Sequence, residues 1–399
     1  VKQFSDVARV PGDPILGLLD AYRADPNPAK LDLGVGVYKD ALGLTPIPKA
    51  VKLAEQRLID SEQTKSYIGG HGDPLFGEQL LRLVLGEGSP ALVENRAGCT
   101  QTPGGTGALR LVGDFIAKCL PGRSLWLSDP TWPIHETLFA AAQLKVEHYP
   151  YVNEQNRLDV PAMLAALEQI PSGDVVLLHA CCHNPTGYDL GQDDWRQVLE
   201  IVRKRELLPL FDFAYQGFGD GLNEDAWAVR LFVDALPEVL ITSSCSKNFG
   251  LYRERTGALI VVTADGDSLI DVRSQLASVV RNLWSTPPSH GAAVVATILA
   301  NSELRQLWEQ EVAAKRERIA GLRQGLVEAL QPHGLAERFA HIARQRGMFS
   351  YTGLTAAQVL RLRTDDSVYL VESGRANIAG LDSARLDQLA AAIARVVSD

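Results

Sequence analysis

Several short segments combine residue types that could do chemistry, and some of them follow or close a run of apolar residues. In Ser243-Ser244-Cys245-Ser246-Lys247-Asn248-Phe249-Gly250, one lysine follows the apolar run 239–243, with Arg253 and Arg255 close behind. A lysine at the carboxyl end of a strand in an open α/β sheet sits where ligands bind. Flanked by cations and partly desolvated, its amine loses its proton more readily and becomes a nucleophile for an aldehyde. Two serines and an arginine nearby also suit a phosphate. Taken alone, the segment equally suits a surface lysine at a strand end.

Leu210-Phe211-Asp212-Phe213-Ala214-Tyr215 sets a carboxylate inside an apolar strand. A buried acid is costly unless a cation meets it. A protonated ring nitrogen is one such cation, and a structural arginine is another. Tyr215, three residues on, could donate to a phenolate oxygen. Thr102-Pro103-Gly104-Gly105-Thr106-Gly107 precedes the helix-like stretch 108–120. Glycines at a helix start let the backbone approach an anion, and the helix dipole favours negative charge there. The pattern matches neither a Walker A nor a dinucleotide fingerprint, so a phosphate or a plain tight turn fits it. In His179-Ala180-Cys181-Cys182-His183-Asn184-Pro185-Thr186-Gly187, adjacent cysteines on a strand would face opposite ways, which argues against a shared metal ion. Asn184 is the better functional candidate there, with an Asx-type turn as the alternative.

The elements that must hold these segments read from the apolar pattern. Runs at 124–128, 145–149, 175–179, 207–213, 239–243 and 257–263 are short, apolar and bounded by Gly, Pro or Asp. Helical spacings lie between several of them, such as Trp195, Val198, Leu199 and Val202. Near-continuous apolar strands separated by helices predict a mostly parallel sheet covered on both faces. Apolar residues from Leu304 to Leu330 then step by three or four, which predicts one long amphipathic helix. Short strand patterns at 348–351 and 368–371 and a last helix through Leu386, Leu389, Ile393 and Val397 form a smaller α+β lobe, with the stretch before about residue 45 packed against it.

Composition narrows the partners. The 399 residues are 46% apolar, enough for a large core without metal or disulfide staples. Net charge is −9 and no basic run interrupts it, which speaks against nucleic acid and anionic membrane surfaces. Cys99, Cys119, Cys181, Cys182 and Cys245 lack zinc spacing and read as free thiols of a reducing compartment. Val1-Lys2-Gln3-Phe4-Ser5-Asp6 has no apolar leader pattern, and no apolar stretch is long enough for a membrane span. The expectation is a soluble, cytoplasmic protein with no bound metal.

No one segment decides the chemistry, but one cofactor requires them together. Pyridoxal 5′-phosphate needs a Schiff-base lysine, an acid at its pyridinium nitrogen and a phosphate site at a helix start. Lys247, Asp212 and Gly105-Thr106 supply those parts at strand ends, with Asn184 and Tyr215 placed for the ring O3′.

The chain also resembles the class I aspartate and aromatic amino-acid aminotransferases of the fold-type I pyridoxal enzymes, nearly end to end and most nearly the bacterial aromatic branch. The likeness runs from Asp13-Pro14-Ile15-Leu16 through Leu33-Gly34-Val35-Gly36-Val37-Tyr38 to Arg375-Ala376-Asn377-Ile378-Ala379-Gly380. Cys182-His183-Asn184-Pro185-Thr186-Gly187 and Ser244 with Lys247-Asn248-Phe249-Gly250 carry it most specifically. It implies an α/β fold with an N-terminal arm and part of the small domain in 1–45, a large cofactor-binding domain in 46–310 and a small C-terminal domain in 311–399. It implies that Lys247 carries the cofactor and shuttles the proton. Gly105, Thr106, Ser244 and Arg255 would contact the phosphate, Trp132 the ring face, Asn184 and Tyr215 the O3′, and Asp212 the ring nitrogen. Arg375 would grip the substrate α-carboxylate, with Gly36 against the substrate and His135 and His179 behind the ring. Tyr67 and Arg281 would reach the partner subunit's phosphate and substrate side chain, making the active unit a homodimer. Cis peptides are implied before Pro130 and Pro185.

The implied reaction is ping-pong transfer of an amino group between aromatic amino acids (Phe, Tyr, Trp) or aspartate and 2-oxoglutarate, through pyridoxamine phosphate. Arg281 favours dicarboxylates. Thr286 replaces the Asn of many aspartate-preferring relatives, and Trp284 adds aromatic surface, whereas Val37, Lys39 and Thr45 look like the aspartate type. The alternatives are an aspartate-specific aminotransferase, a pyridoxal-dependent lyase or decarboxylase, and a non-enzymatic anion or amino-acid binder.

Overall fold

The computed structural model describes residues 3–4, 7–8 and 14–398. Asp13, and Val1, Lys2, Ser5 and Asp6 of the N-terminal stretch, lie outside them. The described chain divides into two units. The larger is Thr45–Ala320 with Arg344–Gly347, and the smaller takes the residues up to Leu44, Gly321–Ala343 and those from Met348 onward.

The larger unit is built on a seven-stranded sheet. Its strands are β1 (Ala97–Pro103), β2 (Ser124–Asp129), β3 (Lys145–Pro150), β4 (Val175–His179), β5 (Leu208–Phe213), β6 (Val239–Ser244) and β7 (Thr256–Val262). Their order across the sheet is β1-β7-β6-β5-β4-β2-β3. Pairings from β6 to β3 are parallel, and β7 runs antiparallel to both β6 and β1. The apolar runs read from sequence became β2 to β7. β1 carried no such signal, because its buried centre is Thr100, Gln101 and Thr102. Those polar side chains find partners: Gln101 Nε2 donates to the Pro288 carbonyl at 2.7 Å, and Thr100 Oγ1 is 2.9 Å from His71 Nδ1.

Both faces are covered, as near-continuous apolar strands require. On one face Leu111, Val112, Phe115 and Ile116 of the helix Gly104–Cys119 pack with Leu125, Leu127, Val175, Leu177, Leu210 and Leu240. On the other, Phe211 meets Trp195 of the helix Gln192–Lys204 and Phe232 of Trp227–Ala235, with ring centroids 5.9 and 5.1 Å away. Leu210 and Phe211 thus alternate between the two layers along β5.

The glycine-rich segment is tighter than its sequence suggested. β1 runs to Pro103 and the helix starts at once, at Gly104, not at 108. This close approach depends on Gly257 in β7, opposite Thr102 and Ser244. A Cβ on Gly257 would lie 2.6 Å from both Gly104 C and Ser243 O.

In the smaller unit, Leu31–Asp32 pairs in parallel with Val368–Tyr369, and Phe349–Tyr351 pairs antiparallel with Arg375–Asn377. The helix Leu386–Ser398 buries Leu389, Ile393 and Val396. The expected long helix is Ser302–Leu330, whose residues contribute to both units.

Because backbone atoms cannot yield as a flexible side chain would, Gly257→Ala should destabilise the protein by about 1–3 kcal/mol. Urea unfolding of the two proteins measures it, and an unchanged midpoint would show that the contact relaxes freely.

Candidate active site

The sheet topology brings the sequence candidates of the larger unit to one edge. β2, β4, β5 and β6 end there, β1 feeds its helix there, and antiparallel β7 begins there. Asp212 in β5 lies in register with His179 of β4 and Thr242 of β6. Lys247 follows the end of β6 by three residues, and Arg255 immediately precedes β7.

Lys247 and Asp212 form the electrostatic centre. The Lys247 ammonium lies 4.7 Å from the centroid of the Tyr215 ring. Burial pushes its pKa down from 10.5 to about 8; the nearby Asp212 charge opposes that shift and Arg255 adds to it. Burial acts on Asp212 in the opposite sense, favouring the neutral acid. The hydrogen bond from His135 and the neighbouring positive charge outweigh burial and hold the carboxyl below its ordinary 3.8. His135 Nε2 is 3.1 Å from Asp212 Oδ2. An ionised carboxylate only accepts, so this nitrogen carries the donor hydrogen.

Behind His135 the chain of contacts continues. Thr131 Oγ1 is 2.8 Å from His135 Nδ1 and 3.2 Å from His179 Nε2. Burial pushes His179 down from 6.5 to about 3, with Asp212 opposing, so the ring is neutral. Trp132 is half-buried and sits edge-on to His135, ring centroids 5.2 Å apart at 89°. Thr131 lies within the Asp129–Pro133 motif, but an uncharged residue gave no sign of its bridging place. The peptides before Pro130 and Pro185 are cis. At the second, Asn184 Nδ2 donates to the Tyr215 hydroxyl at 3.3 Å.

The start of the helix Gly104–Cys119 forms the other end of the site. No side chain caps it and its first turn has no acid. A Cβ at Gly104 would lie 2.7 Å from Arg255 Nη2, and one at Gly105 3.1 Å from Ser244 Cβ. Backbone, serine and guanidinium therefore converge where the helix dipole is positive, and Thr106 is exposed beside them. This arrangement suits pyridoxal phosphate. An anion fits the helix start, an aldehyde the depressed lysine and a protonated ring nitrogen the ionised Asp212.

Gly36 and Arg375 belong to the smaller unit and meet there through Phe349, which the sequence did not single out. The Arg375 guanidinium lies 4.3 Å over the Phe349 ring and donates from Nη2 to the Gly34 carbonyl at 2.9 Å. A Cβ on Gly36 would approach Phe349 Cζ to 2.7 Å. Tyr67 and Arg281 are on the surface instead. Tyr67 is 95% exposed, and exposed Arg281 donates to Ser285 Oγ from the last turn of the helix Gly266–Leu283.

The cysteine pair departs from its expected geometry. Cys182 lies beyond β4 with φ +53°, so the alternation of strand side chains does not apply to it. Donor atoms of Cys181, Cys182 and Asp225 come within 4.8 Å of one another. Asp225 is already engaged, however: its two oxygens accept from the N–H groups of Gly217, Gly219, Asp220 and Gly221. It reads as the anchor of that turn.

His179 gives the pH prediction. Between pH 6.5 and about 3 an unfolded histidine binds a proton that folded His179 does not, so acid favours unfolding. In His179→Asn the loss of stability between pH 7 and pH 4.5 should be shallower. Urea midpoints at the two values measure it, and equal losses in both proteins would refute a buried neutral ring.

The family described as aminotransferase class I and II matches residues 28–393. The chain is 73% identical, over all 399 residues and the full length of both proteins, to an aromatic-amino-acid aminotransferase of Pseudomonas aeruginosa. It is 48% identical to an aspartate aminotransferase of Salmonella typhi, covering 99% of this chain and 100% of that one. A solved aromatic-amino-acid aminotransferase from Burkholderia pseudomallei, covalently bound to pyridoxal phosphate, superposes with a TM-score of 0.97 at 45% identity, covering 99% and 100% of the two chains. This chain belongs to the class I and II aminotransferases, enzymes that work with pyridoxal phosphate.

Proposed function

We propose that the protein transfers amino groups between phenylalanine, tyrosine, tryptophan or aspartate and 2-oxoglutarate, in two half-reactions through one site. The observation that carries the chemistry is the amine of Lys247, with its pKa near 8, facing an ionised Asp212 at the same sheet edge. End-to-end identity of 73% with an aromatic-amino-acid aminotransferase supports the aromatic range.

Bound pyridoxal phosphate supplies an electrophilic carbon that links to amines and a ring that draws electrons from the substrate Cα. The chain's residues do the rest. Gly105, Thr106, Ser244 and Arg255 would hold the phosphate at the helix start. Asp212, fixed by His135, would keep a proton on the ring nitrogen, while Asn184 and Tyr215 would bind the ring hydroxyl and Trp132 would cover the ring. Once free, the Lys247 amine would take the proton from the substrate Cα and deliver it to the cofactor's electrophilic carbon. A pKa of about 8 leaves part of it unprotonated near neutral pH, as a general base requires. Arg375 would bind the α-carboxylate with a planar fork that lysine lacks. Gly36 would leave room for the substrate.

Tyr67 and Arg281, both exposed, would serve a neighbouring subunit's site, so the working form is a homodimer. Arg281 favours aspartate and glutamate, and Thr286 and Trp284 near it favour tolerance of aromatic side chains. Among the described residues no helix is long and apolar enough to cross a membrane. None of the five cysteines forms a disulfide, which suits a cytoplasmic setting.

Absorbance titration of the purified, cofactor-supplied enzyme with aspartate, phenylalanine and tyrosine tests the reading. Each should convert the cofactor band, and 2-oxoglutarate should restore it. No conversion by phenylalanine or tyrosine would remove the aromatic half. Lys247→Ala should lower kcat by at least about a hundredfold, the contribution of a positioned acid–base group. Arg375→Lys should weaken all amino acids together, raising KM for aspartate and phenylalanine alike.

A further inference from the structure

The long helix Ser302–Leu330 supplies no residue to the candidate site, yet one face of its first half holds two of the site's loops from behind. Trp308 is fully buried. Its indole Nε1 donates at 3.0 Å to the carbonyl of Asn248, the residue after Lys247. Its ring lies flat against Phe249, with centroids 4.4 Å apart and planes 7° apart. The loop is tied within itself as well. Phe249 N–H donates to Asn248 Oδ1 at 3.0 Å, and Gly250 N–H donates to the Lys247 carbonyl at 3.1 Å.

Further along the same helix face, Val312 and Arg316 reach the loop of Tyr215. A Cβ on Gly217 would come 2.6 Å from Val312 Cγ1, and Arg316 Nη1 donates to the Gly217 carbonyl at 3.1 Å. Positions 308, 312 and 316 are each one turn apart and share a face. One rigid element therefore fixes the backbone just past the lysine and just past the tyrosine whose ring faces it.

A lysine side chain has a long flexible stem, so where its amine rests depends on how firmly its backbone is held. In this loop the Asn248 carbonyl points into the protein, where a lost partner is costly, and the indole meets it. We propose that Trp308 is a positioning residue for Lys247, acting through the Asn248 carbonyl and the Phe249 ring to keep the amine at the Tyr215 face and within reach of Asp212. This rests on reading Lys247 as the cofactor-linked lysine.

Trp308→Phe tests it, since phenylalanine keeps a ring for the stack and removes the donor. In the holoenzyme, the absorbance of the lysine-linked cofactor is titrated with pH, and kcat and KM for aspartate are measured. Borohydride trapping at Lys247 in the unaltered enzyme checks the underlying reading separately. The variant should move the titration midpoint by at least about half a pH unit, a displacement a small change in charge environment produces. It should lower kcat about tenfold, the cost of losing one such hydrogen bond, with KM changed by less than about threefold. A merely structural tryptophan would lower Tm and leave the midpoint in place, and that result would overturn the proposal. If Trp308→Phe does not fold, Phe249→Leu keeps the indole donor and removes the stack, and an unmoved midpoint there overturns it equally. Failure to trap Lys247 in the unaltered enzyme would overturn the reading of the site, and the positioning role with it. Trapping with an unmoved midpoint would overturn the positioning role alone.

Discussion

The candidate site depends on the charge balance between a desolvated ammonium, Lys247, and a buried carboxylate, Asp212. Burial alone would strip the charge from both Lys247 and Asp212, because each ion loses water. Their mutual attraction works against that on each side, and the rest of the site tunes the balance. Arg255 pushes the lysine further down, while the His135 hydrogen bond keeps the acid ionised. The drop from 10.5 to about 8 disfavours the lysine's charged form by roughly 3 kcal/mol. The result is an amine that is half-ready to react beside an acid that stays charged. Neither residue type has that combination of properties in water.

Such a pair needs a scaffold that delivers charges to one place from distant parts of the chain. Parallel strands do so because their carboxyl ends lie together; Asp212 lies at one such end, and Asn184, Trp132 and Lys247 follow others. Arg255 arrives differently, at the start of a strand, and can share the edge only because β7 is antiparallel. That reversal also lets β7 pair with β1, which feeds the helix start at Gly104. Gly257 is the point where strand, helix start and the Ser243 carbonyl meet, and it leaves no room for a side chain. The cationic cradle and the lysine are thus neighbours for a reason of topology as much as of charge.

Much of this was legible in the sequence, and the gaps have physical causes. Apolar runs revealed β2 to β7 because parallel strands are buried on both faces. β1 escaped because its buried residues are polar and are satisfied by side-chain bonds that no periodicity records. Asp212 declared itself as an acid in an apolar strand. Its relay through Thr131 did not, since a hydroxyl among loop residues carries no charge to explain. The expected split of Cys181 and Cys182 assumed that the strand runs through them, but it ends at His179 and the backbone at Cys182 is left-handed. Phe349 and Trp308 fall within stretches read as a strand and an amphipathic helix, and both are buried. What the sequence could not say is that the one lies beneath a guanidinium and the other behind the reactive lysine.

The two arginines proposed for substrate carboxylates differ in a way that bears on substrate range. Arg375 is buried, seated on Phe349 and bonded to the Gly34 carbonyl, so its orientation is set before anything binds. A fixed guanidinium suits the α-carboxylate, which every amino-acid substrate presents in the same place. Arg281 is exposed and held to Ser285, a residue four positions along its own chain. An aromatic side chain offers no carboxylate, and a guanidinium pinned against it would be desolvated without a partner, at a cost of several kcal/mol. On the proposed reading, an Arg281 with freedom to turn would avoid that cost with aromatic substrates and return for aspartate. On that reading, breadth of substrate would follow from rigidity at one carboxylate position and freedom at the other.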